Sequence, residues 1–128
     1  MVHPFRLLAA TSSVLPALAL AQASLDGHWQ LSFSTRDGET RQAVVSINGR
    51  QGSWTTLPQP GKEKRDPCVG RPFPLTVTVA GPRRVVLEVD FASQVAGCRD
   101  RTVTGEWVGA ATVAGKLENG KPVGMVRQ

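Results

Sequence analysis

Histidine and cysteine are scarce in this chain. Its 128 residues hold two of each, and His3 lies ahead of the apolar N-terminal stretch, so His28 is the one imidazole of the remainder. One histidine and two isolated cysteines make neither a zinc site nor a Cys/His nucleophile pair. No Gly-x-Ser-x-Gly elbow is present either. Glu88 and Asp90 share one face at i, i+2, but a strand that buries its other face turns such carboxylates to solvent. These absences argue against an enzyme and imply no metal and no cofactor. Long apolar runs are missing too. The longest candidate, "LLAATSSVLPALALA", is interrupted by Pro16 and is too short to cross a bilayer as a helix.

That stretch reads instead as the core of a secretory signal. Arg6 supplies a basic n-region, and "AQA" (Ala21-Gln22-Ala23) is a small-x-small cleavage site ahead of Ser24, with "ALA" ending at Ala21 as the competing cut. No cysteine follows the site, which argues against a lipoprotein. The expectation is a signal peptide over 1–23 and a single domain over 24–128, periplasmic or secreted and free of the membrane after cleavage. A domain of that size buries roughly 65% of its unfolded surface. The chain carries 15 basic and 10 acidic residues, and removing Arg6 leaves 14 against 10, a net charge of +4. The basic residues are scattered through predicted turns, among them Arg36, Arg41, Arg50, Lys62, Lys64, Arg65, Arg99 and Arg101. Nucleic acid is not an expected partner, because its recognition wants a basic face interleaved with exposed aromatics.

The mature chain shows period two almost throughout. "HWQLSF" sets Trp29, Leu31 and Phe33 on one face; "RQAVVSI" does so with Ala43, Val45 and Ile47. "FPLTVTV" alternates Phe73, Leu75, Val77 and Val79, and "VVLEVDF" alternates Val85, Leu87, Val89 and Phe91. Such alternation marks half-buried antiparallel strands. Asp37-Gly38, Asn48-Gly49 and Asn119-Gly120 are hairpin dipeptides, and Ala80-Gly81-Pro82-Arg83 is a fourth turn. Eight strands are predicted, over 27–34, 41–47, 52–57, 72–80, 84–91, 102–108, 111–118 and 121–127. Short loops between sequential strands predict an all-β, eight-stranded antiparallel up-and-down barrel. A seven-stranded sandwich is the alternative.

The stretch "PQPGKEKRDPCVGRP", 58–72, is rich in proline, glycine and charge, and reads as a surface loop over one barrel mouth. Cys68 fixes its far end. In an oxidising compartment a lone pair of cysteines forms one disulfide, here Cys68–Cys98, closing a loop of about 31 residues at a gain of roughly 3.5–4 kcal/mol. In a meander both cysteines lie in connections at the same end of the barrel.

Several of these stretches resemble one family. "LDGHWQLSF" carries the Gly-x-Trp of the calycins on the first strand. "NGRQGSWTTL" is similar to the turn and third strand of avidins, "CVGRPFPLT" resembles the Cys-x-x-x-Pro-Tyr-Pro-Leu-Thr of the disulfide-bearing dimeric rhizavidin-type avidins, and "TVTGEWVG" resembles their sixth strand. The resemblance covers most of 25–109. It implies a barrel that holds a small, partly apolar ligand, biotin by analogy, at one open end, and it allows a homodimer. Trp54 falls where the family's third-strand Tyr contacts the ureido oxygen, and its N–H is suited to donate there. Thr56 falls on the family's hydroxyl two residues later, and Phe91 on a pocket Trp at the end of strand five. Arg101 occupies a usual hydroxyl position, Leu31 stands in place of a ureido-binding Asn, and Val103 replaces a second pocket Trp. The resemblance therefore implies ligand-binding positions at Trp54, Thr56, Phe91 and Arg101, with fewer matched hydrogen bonds to biotin. Trp29 reads as a structural residue of the barrel floor, and Trp107 as another inward aromatic.

Two other readings fit the same sequence. One is an exported protease inhibitor or protein-interaction module on a calycin barrel, although only Ser24 to Asp26 precede the first strand to serve as an inserting tail. The other is a barrel filled by its own side chains.

Overall fold

A computed structural model describes residues 24–35, 37–59 and 66–128. The expected signal segment, Arg36, and Lys62, Lys64 and Arg65 of the long loop lie outside the described residues. Eight strands follow in chain order: β1 (Gly27–Ser34), β2 (Thr40–Asn48), β3 (Gln51–Thr56), β4 (Phe73–Ala80), β5 (Arg84–Val89), β6 (Arg101–Gly109), β7 (Thr112–Leu117) and β8 (Pro122–Arg127). Each pairs antiparallel with its sequence neighbours, and β1 pairs with β8, which closes the barrel. The sandwich alternative is thereby excluded. Gly38, Gly49 and Gly120 take φ of 84°, 68° and 84°, the left-handed values that the three Asp-Gly and Asn-Gly turns require.

The alternation decides which faces meet inside. Trp29, Leu31, Ala43, Val45, Leu75, Val77, Leu87 and Val89 are all 2% exposed or less, whereas Gln30, Val44, Thr76 and Glu88 on the opposite phase are exposed. Leu87→Ala is expected to cost about 2–5 kcal/mol, since it removes three buried carbons from a packed interior. Glu88→Ala is expected to stay within about 0.5 kcal/mol. Urea unfolding of the two variants checks this, and equal losses would contradict the facing assigned here.

The ladders depart from strict alternation in two places. A register shift between Val77 and Val79 sets the half-buried Val79 opposite Val86, and a second follows Trp107, which keeps the inner phase opposite Val113 and packs, half-buried, against the core. β5 ends at Val89, so Phe91 is not its last residue and Asp90 is not a strand residue facing solvent beside Glu88. The Asp90 carboxylate accepts the Ser93 hydroxyl at 2.5 Å and the Ser93 N–H at 3.1 Å, and these bonds hold it below its ordinary pKa. A side chain so engaged starts a turn rather than continuing a ladder.

Odd-numbered strands all run toward one end of the barrel. The opposite end is a closed floor. Trp29 and Trp107 pack there with ring centroids 5.8 Å apart, and the Arg127 guanidinium lies 4.5 Å over the Trp29 ring. Trp29 donates its indole N–H to the Leu25 carbonyl at 2.8 Å, and Arg127 donates to the carbonyls of Ser24 and Asp26. Trp29 is fully buried at this end of the barrel.

Candidate ligand-binding site

All four connections at the other end converge on one cavity of about 710 Å³, open to solvent at the mouth. Ligand cavities commonly fall within about 300–1,000 Å³. Its apolar wall is aromatic. Phe33 and Trp54 lie 5.6 Å apart between centroids, Trp54 and Phe91 6.4 Å apart and nearly perpendicular, and Phe73 backs Phe91 at 4.3 Å. The wall exists because Phe33 and Trp54 continue the inner phase of β1 and β3 toward the mouth.

Phe91 reaches this wall from outside the strand. Asp100 accepts the N–H groups of Phe91 and Ala92 at 2.9 and 2.8 Å, and the Phe91 carbonyl accepts from Gln94 and Val95 at 3.0 Å each. These bonds fold residues 90–95 into a tight turn that aims the ring inward. The lid over the cavity is residues 66–72. Cys68 is bonded to Cys98, with Cα atoms 5.7 Å apart, so the disulfide ties the lid to the β5–β6 connection as the meander predicts. Asp66 Oδ1 accepts the Cys68 N–H at 2.9 Å, and the Gly70 N–H donates to the Thr56 carbonyl at 2.9 Å.

Trp54, Thr56, Phe91 and Arg101 all line the cavity. Two of them hold roles other than those the resemblance implies. The Trp54 indole N–H donates to Thr56 Oγ1 at 2.8 Å, so it is not offered to the cavity as a donor. That bond leaves the Thr56 hydroxyl hydrogen with no acceptor among the described residues, so the donor that β3 offers at its mouth end is Thr56. Arg101 is paired with Glu118 at 2.6 Å. Burial works against the Glu118 charge, but the Thr102 N–H, its own N–H and Arg101 outweigh burial and hold its carboxyl below the usual range.

The cavity also draws on residues that turn composition conceals. Arg41 lies on the inner phase of β2, with Ala43, Val45 and Ile47, opposite Phe33 in register. Its odd position was the available signal, because an arginine that extends an apolar inner phase must end at a mouth. Arg99, Lys121 and Asp66 join the rim from three different loops, and no periodicity links them. Among the described residues no cluster of three His, Cys, Asp or Glu side chains is arranged to hold a metal ion.

No family model matches the chain, and no curated protein matches it. Among solved structures it is similar to a redesigned β-barrel, at 19% sequence identity over 91% of this chain and 98% of that one, with a TM-score of 0.49.

Proposed function

We propose that the chain is an exported, non-enzymatic small-molecule-binding protein of the avidin type, with biotin as the named candidate ligand. The observation that carries this reading is the cavity itself. It is hollow, aromatic-walled and covered by a disulfide-tied lid, and the four positions aligned with avidin pocket residues converge on it. The filled-barrel reading conflicts with that hollow, since Trp54 packs on Phe33 and Phe91 and not on the Trp29–Trp107 floor. Leu31 is fully buried and supplies no hydrogen bond where the family uses an amide. Together with the engaged Trp54 N–H this makes biotin binding weaker than in a fully matched site, by about 1–3 kcal/mol for each missing bond.

Calorimetric titration with biotin tests the reading. Heat with a one-to-one endpoint is the expected result, and Thr56→Val, which removes that hydroxyl donor at nearly constant volume, should weaken binding about tenfold. A silent titration of folded protein overturns biotin as the ligand. Sequencing of the secreted protein's first residues tests export, with Ser24 as the expected start.

A further inference from the structure

The closed end of the barrel presents a surface that the cavity does not explain. The β6–β7 hairpin turns there through Val108, Gly109, Ala110 and Ala111, four uncharged residues that are all exposed. Val108 is 62% exposed, more than any other large apolar side chain of the described residues. A single exposed valine is ordinary. An uncharged tip with cations gathered around it is not.

The cations come from the two neighbouring turns. Arg83 and Arg84 close the β4–β5 turn, Arg50 closes the β2–β3 turn, and all three are exposed. Backbone bonds join the turns to one another. The Trp107 N–H donates to the Arg83 carbonyl at 3.0 Å, and the Val77 N–H to the Arg50 carbonyl at 2.9 Å. Arg50, Arg83 and Arg84 have no ion-pair partner among the described residues. Against them stand Glu106, opposite Arg84 in register but not ion-paired with it, and Asp26, whose Oδ1 accepts the Gly49 N–H at 2.7 Å. With Arg127 beneath, this end stays net positive. Trp107, half-buried at the base of the tip, has an indole N–H with no acceptor among the described residues, and tryptophan favours membrane–water interfaces.

We propose that this pole docks reversibly on an anionic lipid surface, with the Val108–Ala111 tip entering the headgroup layer and Arg50, Arg83 and Arg84 meeting the lipid phosphates. Four small residues bury too little apolar area to hold a barrel at a bilayer by themselves. Each arginine near an anionic leaflet adds attraction, and its planar fork matches two phosphate oxygens. Docking of this kind is contact with a surface and does not span the bilayer. It is independent of what the cavity binds, because the mouth lies at the other end.

Co-sedimentation with vesicles tests the proposal on the disulfide-intact protein. One set of vesicles is phosphatidylcholine alone, and the other contains about one-third phosphatidylglycerol. Binding to the anionic set is expected to be at least about tenfold tighter and to weaken as salt is raised. Arg83→Gln with Arg84→Gln should weaken it about thirtyfold, at about fivefold for each arginine. Val108→Ser, which leaves the charge unchanged, should weaken it about tenfold through lost apolar burial. These positions are exposed, so the variants should unfold at the wild-type urea midpoint. Absence of binding to the anionic vesicles, or equal binding to both sets, overturns the proposal. Binding that falls with the arginines but not with Val108→Ser shows adhesion to a polyanion by charge alone, and overturns it too.

Discussion

Trp29→Ala is expected to lower the unfolding free energy by about 3–5 kcal/mol, toward the upper end for an aromatic truncation. Trp29 has no exposed surface, so its removal leaves a sealed void. It also leaves the Leu25 carbonyl without its indole donor and the Arg127 guanidinium without the ring beneath it. A domain of ordinary stability, about 5–15 kcal/mol, would lose a large share of its margin. Trp54→Ala is expected to cost less although the two rings are nearly equally buried. Trp54 faces a space already open to solvent at the mouth, so truncation enlarges that space and seals no new void, while the apolar wall and any ligand affinity are lost. Equilibrium unfolding of the two variants in urea checks the order. A Trp54→Ala loss as large as that of Trp29→Ala would mean that no hollow lies beside it.

Replacing both cysteines, Cys68→Ala with Cys98→Ala, is expected to cost roughly 3.5–4 kcal/mol through the freed denatured chain. The native geometry should survive. The Gly70–Thr56 bond and the Asp100 bonds to residues 91 and 92 hold the two loops independently. Ligand affinity should fall with stability, because an untethered lid has to be ordered on binding. The non-reduced wild-type protein should titrate no free thiol. Unchanged unfolding and unchanged affinity in the double variant would show that the bridge constrains neither the chain nor the site.

The strands were legible because one face of each is buried and the other is wet, so hydrophobicity alternates directly with position. The turns were legible because Asn-Gly and Asp-Gly pairs tolerate left-handed backbone. What alternation obscured was the end of β5. Asp90 and Ser93 form a local turn signal that competes with the ladder, and the apolar Phe91 two places on from Val89 made the strand seem to continue. The register shifts at Val79 and Trp107 carry no local signature, since they arise from pairing with neighbouring strands. At the mouth, positions were readable and partners were not. Trp54 and Thr56 stand two residues apart on one face, yet that they bond to each other depends on the twist and side-chain rotamers of β3. The rim cations come from separate loops, and only closure of the barrel gathers them.

Arg127 has one more consequence. By donating to Ser24 and Asp26 while stacking on Trp29, it brings the first and last described segments of the barrel together at the closed end, where the Gln128 N–H also meets the His28 carbonyl at 2.8 Å. A fluorophore, affinity handle or surface tether attached after Gln128 therefore projects from the pole opposite the cavity. Immobilised by that pole, the barrel would stand upright on a sensor chip with its mouth toward the solution.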